Sequence, residues 1–149
     1  MDFGDIGQNF LPLVLLVVFL VTSIFLKKRR GGAVERTPLE VVSNMLSEII
    51  YNQQLMEAFL VNWQVRKFKT GSWNRNKNKL DFLDHQLQIT LSDAFGTAED
   101  FNQQIDAAKK HKTASYLANI NVEKLRVPLA KCKQGLEEWL QTNLGQKAG

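Results

Sequence analysis

The sequence predicts an all-α protein: one N-terminal transmembrane helix followed by a cytoplasmic antiparallel bundle of three long helices, one or two of them kinked or broken. Three observations lead there. An uncharged, almost wholly apolar run from Phe10 to Leu26 ends on Lys27-Lys28-Arg29-Arg30, the pattern of a membrane span with flanking cations. Beyond residue 38, apolar residues recur at alternating steps of three and four, the period of a helix with one buried face. No segment alternates apolar and polar residues between hairpin turns, so strands are not expected.

Residues 1–9 form a short exterior N-terminus and residues 10–26 the transmembrane helix. With Ile6 to Asn9 as a headgroup shoulder, that helix reaches roughly 30 Å, enough to cross the hydrocarbon layer. A cleavable secretory signal fits poorly, because such a signal has a basic start and a small-x-small cleavage site. Here Asp2 and Asp5 occupy the start, and the run closes on Thr22-Ser23-Ile24-Phe25-Leu26. The four cations all follow the run, so the positive-inside rule puts the N-terminus outside the cell (inner) membrane and the C-terminal domain in the cytoplasm. The span contains no Gly-x-x-x-Gly pair and no ionisable residue, which argues against a tight dimerisation face or an ion path.

Residues 27–37 make a basic, Gly-containing linker in which Gly31-Gly32 allows swivelling. The helical bundle domain follows at 38–145, with a C-terminal tail at 146–149. A domain of about 110 residues is long enough to bury a core without disulfides. The single Cys132 cannot form an intramolecular bridge, in keeping with a reducing compartment. The net charge is +4, but its distribution says more. Residues 66–79 carry cations and no acid, residues 80–106 carry acids and no Lys or Arg, and between Lys109 and Lys133 the only acid is Glu123. Such blocks suit neighbouring helices with complementary faces.

Thr37-Pro38-Leu39-Glu40 reads as a helix start, with Thr37 as cap and Glu40 closing a capping box. Leu39, Val42, Leu46, Ile49, Gln53, Met56, Leu60 and Trp63 then mark one face of a helix of about thirty residues. Gln53 is the polar member of that stripe and is expected where the stripe meets water. Gly71 to Asn76 is expected as a turn-forming break. The period resumes at Leu80, Leu83, Leu87, Leu91 and Phe95, with a kink or break expected near Gly96 and a fresh cap at Thr97. A last helix runs through Ala118, Val122, Leu125, Leu129, Cys132, Leu136 and Trp139, and Pro128 must kink or divide it.

With the helices running up and down, the basic stretch from Arg66 to Lys79 is expected at the far tip of the domain. Lys109, Lys110 and Lys112 return to the membrane side, joining Lys27, Lys28, Arg29 and Arg30 as the membrane-interface residues. Arg66, Lys67, Lys69, Trp73, Arg75, Lys77 and Lys79 are the candidate partner-binding residues, since cations interleaved with Phe68 and Trp73 suit a protein partner, a lipid surface or stacked bases.

No Gly-rich phosphate loop, Cys-x-x-Cys, His-Glu-x-x-His or Gly-x-Ser-x-Gly occurs. Asp81 and His85 offer only two ligands one helical turn apart, His111 lies among lysines, and Cys132 falls on an apolar stripe as a buried, inert thiol. No catalytic residue, metal site or cofactor is expected. The reading is a single-pass membrane-anchored interaction protein, a scaffold, adaptor or accessory subunit, with the bilayer and an unidentified protein as partners. The alternatives are a membrane-tethered nucleic-acid binder using residues 66–79, and an enzyme with an unfamiliar site around Asp81, Asp84 and His85.

Overall fold

The computed structural model describes residues 35–62, 65–111 and 119–146. The exterior end, the transmembrane helix expected at 10–26, the linker up to residue 34 and the last three residues lie outside them. Among the described residues the chain is helical and has no strand: α1 (Pro38–Asn62), α2 (Gly71–Asn76), α3 (His85–His111), a 3-10 turn (Val122–Leu125) and α4 (Arg126–Gly145). None of these helices is long and apolar enough to cross a membrane. The chain divides into two compact units, Met1–Asn44 and Met45–Gly149.

In the first unit the described residues carry the start of α1. The Thr37 backbone N–H donates to Glu40 Oε2 at 3.2 Å, and the Glu40 N–H donates back to Thr37 Oγ1 at 3.3 Å. Both donors are among those a helix start leaves without intrahelical partners, so the capping box sets the start at Pro38 as its residue types require. The helix has 25 residues, shorter than the thirty expected, and Trp63 lies outside the described residues.

In the second unit the buried face of α1 is Met45, Leu46, Ile49, Asn52, Leu55, Met56 and Phe59. Gln53 is half-buried, in line with its expected position. Leu60, expected in the core, is 39% exposed, because the face drifts towards Phe59 at the end of the helix.

Residues 65–76, the strap, then return along α1. Asn52 bonds Lys69 and Glu48 bonds Ser72, so the strap runs antiparallel to α1. It meets α3 in the same reversed order: Lys67 with Asp106, Phe68 with Asn102, Trp73 with Phe95. A strap antiparallel to both helices makes α1 beyond Met45 and α3 parallel to each other. The antiparallel arrangement expected of the three long helices is therefore corrected. It holds for α3 and α4, where Cys132 bonds Thr90, Gly135 lies against Leu87 and Trp139 packs on Phe82, but not for α1 and α3. The cause lies in the connection, which has apolar residues of its own to bury, Phe68, Trp73, Leu80 and Leu83. It therefore makes a full return pass instead of a short turn.

Three further expectations change. Gly71–Asn76 is a short helix, not a break; Ser72 and Trp73 are buried on it, and the Asn76 side chain donates to the Ser72 carbonyl at 2.7 Å. The helical period resumes in register at Leu80 and Leu83, but both lie in turns before α3, which starts at His85. Asp84 caps that start, its Oδ1 accepting from the N–H groups of Gln86 and Leu87. Finally, α3 passes through Gly96 without a break. A mid-helix Gly costs about 1 kcal/mol relative to Ala, whereas burying Leu91, Phe95, Phe101 or Ile105 stabilises by roughly 1.5–3 kcal/mol each. Burial wins, and Thr97 bonds back to the Asp93 carbonyl at 2.8 Å instead of capping a new helix.

Pro128 divides its stretch as expected. A 3-10 turn ends at Leu125 and α4 begins at Arg126, so the proline falls in the first helical turn, where its missing N–H has no intrahelical role.

Candidate functional site

The basic-aromatic segment is built around its own backbone. In an extended chain the N–H and C=O of one residue point to one side and those of the next residue to the other. Phe68 presents both groups to α3: its N–H donates to Asn102 Oδ1 at 2.7 Å, and its carbonyl accepts from Asn102 Nδ2 at 2.9 Å. Lys69 presents both to α1: its N–H donates to Asn52 Oδ1 at 2.7 Å, and its carbonyl accepts from Asn52 Nδ2 at 2.8 Å. Two asparagine amides thus take the place that neighbouring strands hold in a sheet. Asn52 is completely buried, so without these bonds its amide would cost about 1–3 kcal/mol in unmet hydrogen bonding.

This clamp decides which site residues face water. Phe68 is 3% and Trp73 8% exposed. Trp73 lies parallel to Phe95 with ring centres 5.3 Å apart, and Phe68 packs at 6.2 Å from Phe101. Trp73, expected on a partner-binding surface, is a core residue, because the short α2 turns it towards α3. Arg66, Lys67, Lys69, Arg75, Lys77 and Lys79 are exposed. Lys67 pairs with Asp106 at 2.6 Å with both side chains about half exposed, which limits the pair to 1 kcal/mol or less. The Lys69 ammonium lies 4.1 Å from the centre of the Tyr51 ring, a cation–π contact. Arg75 lies beside Gly71, which Glu48 also approaches, while Glu48 Oε1 accepts from the Ser72 N–H at 2.7 Å.

The expected location of this segment is corrected as well. Only its start, Arg66 and Lys67, lies at the end of α1 as expected; the rest folds back along α1 to the level of Glu48. That start meets the last turns of α3 through Lys67 and Asp106, so Lys109 and Lys110, expected at the opposite end from Arg66, lie at the same end of the unit, because α3 runs parallel to α1. Both of those lysines are exposed in the final turn of α3, where cations also complement the helix dipole. The remaining membrane-interface residues, Lys27, Lys28, Arg29, Arg30 and Lys112, lie outside the described residues.

At the same end Arg126, which opens α4, bonds Glu57 of α1 and Glu123 of the 3-10 turn. The Glu123 carboxyl is held below its usual range by the hydrogen bond from Arg126, and the guanidinium is correspondingly raised.

Asp84 is engaged as a helix cap, and Asp81, His85 and His111 are exposed. Among the described residues no group of three or more His, Cys, Asp or Glu side chains converges as metal ligands would. Cys132 is buried and its Sγ donates to the Thr90 carbonyl at 3.3 Å. Burial, and then the charge of Asp93, push its thiol from 9.0 up to about 12. A thiol so hard to ionise is a poor nucleophile.

Asn52 and Asn102, the residues that place the segment, were not singled out by the sequence reading. The signal for Asn52 is its spacing, because Met45, Ile49, Asn52, Met56 and Phe59 form a continuous four-three stripe. A residue poorly suited to helix interiors in such a stripe marks a buried polar contact. Comparison with protein-family models, with curated proteins and with solved structures gives no match.

Proposed function

We propose that this chain is a single-pass membrane-anchored interaction protein: a scaffold, adaptor or accessory subunit whose helical domain lies on the cytoplasmic side. The anchor is the apolar run Phe10 to Leu26, and its orientation follows from Lys27 to Arg30. The observation that carries the binding role is the division of labour in the segment 65–79. Its aromatic rings and backbone are locked into the domain by Asn52 and Asn102, while Arg66, Arg75, Lys77 and Lys79 stay exposed at defined positions. Charges carried on a fixed backbone suit recognition of a macromolecular partner, since less backbone freedom is lost on binding. With Phe68 and Trp73 buried, the segment lacks the open ring faces on which bases stack, so a protein partner is the favoured reading.

The test is crosslinking of the full chain in native membranes, followed by mass spectrometry and by alkaline washing of the same vesicles. The proposal expects the chain to resist the wash and to crosslink to a membrane-associated protein through Arg75, Lys77 or Lys79. Release by the wash, or crosslinks confined to the chain itself, would overturn it.

A further inference from the structure

Four exposed side chains at one end of the second unit have no structural task among the described residues. Lys67 and Asp106 join the start of the strap to the end of α3, and Arg126 and Glu57 join the start of α4 to the end of α1. The two ion pairs therefore gather four chain segments at one end. The acids Glu57, Asp106 and Glu123 are each met there by Lys67 or Arg126. Arg66, Lys109, Lys110 and Lys124 have no ion pair among the described residues and are exposed. Beside them stand apolar side chains in water: Val61 is 72%, Val127 59% and Leu60 39% exposed. Leu60 and Val61 follow Glu57 by one helical turn, and Val127 follows Arg126, so all three lie at the end of the unit that this salt bridge joins.

We propose that this end is a docking surface for an anionic lipid bilayer. Val61, Leu60 and Val127 enter the interfacial layer, and Arg66, Lys109, Lys110 and Lys124 meet the headgroup phosphates. The combination of aliphatic side chains with surrounding cations is that of interfacial membrane contacts. The aliphatic side chains standing in water at the same end as these cations fit the interfacial layer of a bilayer, which favours lipid over an acidic protein. Each cation brought to an anionic surface is worth about fivefold in the ratio of docked to free domain. The inference rests on the anchored reading, since a tether keeps the surface near the bilayer at high effective concentration.

The test uses the full chain carrying Val61→Cys, labelled with a bimane fluorophore; buried Cys132 stays unlabelled. The protein is reconstituted into vesicles with brominated acyl chains, either phosphatidylcholine alone or phosphatidylcholine with phosphatidylglycerol. Bimane quenching is expected in the anionic vesicles, with loss in zwitterionic vesicles, in high salt and in the Lys109→Glu/Lys110→Glu variant, whose folding is checked by circular dichroism. Equal quenching in both vesicle types, or quenching in neither, overturns the docking surface. Flotation is read separately. A chain that floats with both vesicles but is quenched in neither leaves the anchor standing, whereas one that floats and is quenched only with anionic vesicles upholds the surface and overturns the anchor.

Discussion

Asn52 on α1 and Asn102 on α3 hold adjacent residues of the same extended segment, Lys69 and Phe68, each through a pair of hydrogen bonds of 2.7 to 2.9 Å. Because the two bonded backbones face opposite ways, the strap is fixed to two parallel helices at once. Asn52→Ala and Asn102→Ala are each expected to destabilise the domain by about 1–3 kcal/mol, since each leaves a backbone donor and acceptor unmet. Urea denaturation measures this. The double variant is expected to lose less than the sum, because once one side lets go the other no longer has a fixed strap to hold.

Trp73 separates core from surface within the basic segment. Trp73→Ala is expected to cost about 3–5 kcal/mol, as for other large buried aromatics. Replacing exposed Arg75, Lys77 or Lys79 with alanine is expected to change stability by less than about 0.5 kcal/mol. Thermal unfolding followed by circular dichroism distinguishes the two. Equal, small effects would mean that Trp73 is not packed on Phe95.

Gly135 and Gly96 respond oppositely to added bulk. A methyl group on Gly135 would meet Leu87 Cδ1 at 2.6 Å, while one on Gly96 has nothing within 4 Å. Gly135→Val is expected to destabilise by about 1–3 kcal/mol through overpacking between α3 and α4. Gly96→Ala is expected to stabilise by about 0.4–1 kcal/mol, because it restricts the unfolded chain at a helical position. Denaturant midpoints compare the two variants with the parent.

Cys132 predicts a loss of stability in alkali. Its thiol ionises near 9.0 when free of the fold and at about 12 within it. Above pH 9 the unfolded chain releases this proton while the folded chain keeps it, so the contribution is intact below pH 9 and fades as pH rises towards 12. The fall is about 1.4 kcal/mol for each pH unit well inside that window and less near its ends. Other groups titrate in the same range, so the measurement is the difference between parent and Cys132→Val, which lacks this component.

How far the sequence reveals this architecture depends on where each signal comes from. The capping box at Thr37 and Glu40, the division at Pro128 and the buried thiol of Cys132 each rest on local chemistry that one segment states alone. The continuity of α3 through Gly96 depends on burial by other elements, which outweighs a local preference. The path of the strap was less legible still. Its clamp joins Asn52 with Lys69 and Asn102 with Phe68, pairs far apart in sequence with no shared motif. The apparent interleaving of Phe68 and Trp73 with cations reads as a surface pattern in one dimension, but it splits into a buried side and an exposed side once the strap is in place.

Amide hydrogen exchange resolved at single residues tests the clamp most directly. The account predicts slow exchange at the N–H groups of Phe68 and Lys69, with Asn52→Ala releasing Lys69 first and Asn102→Ala releasing Phe68 first. Exchange of both amides in the parent protein at the rate of an unstructured loop would contradict it.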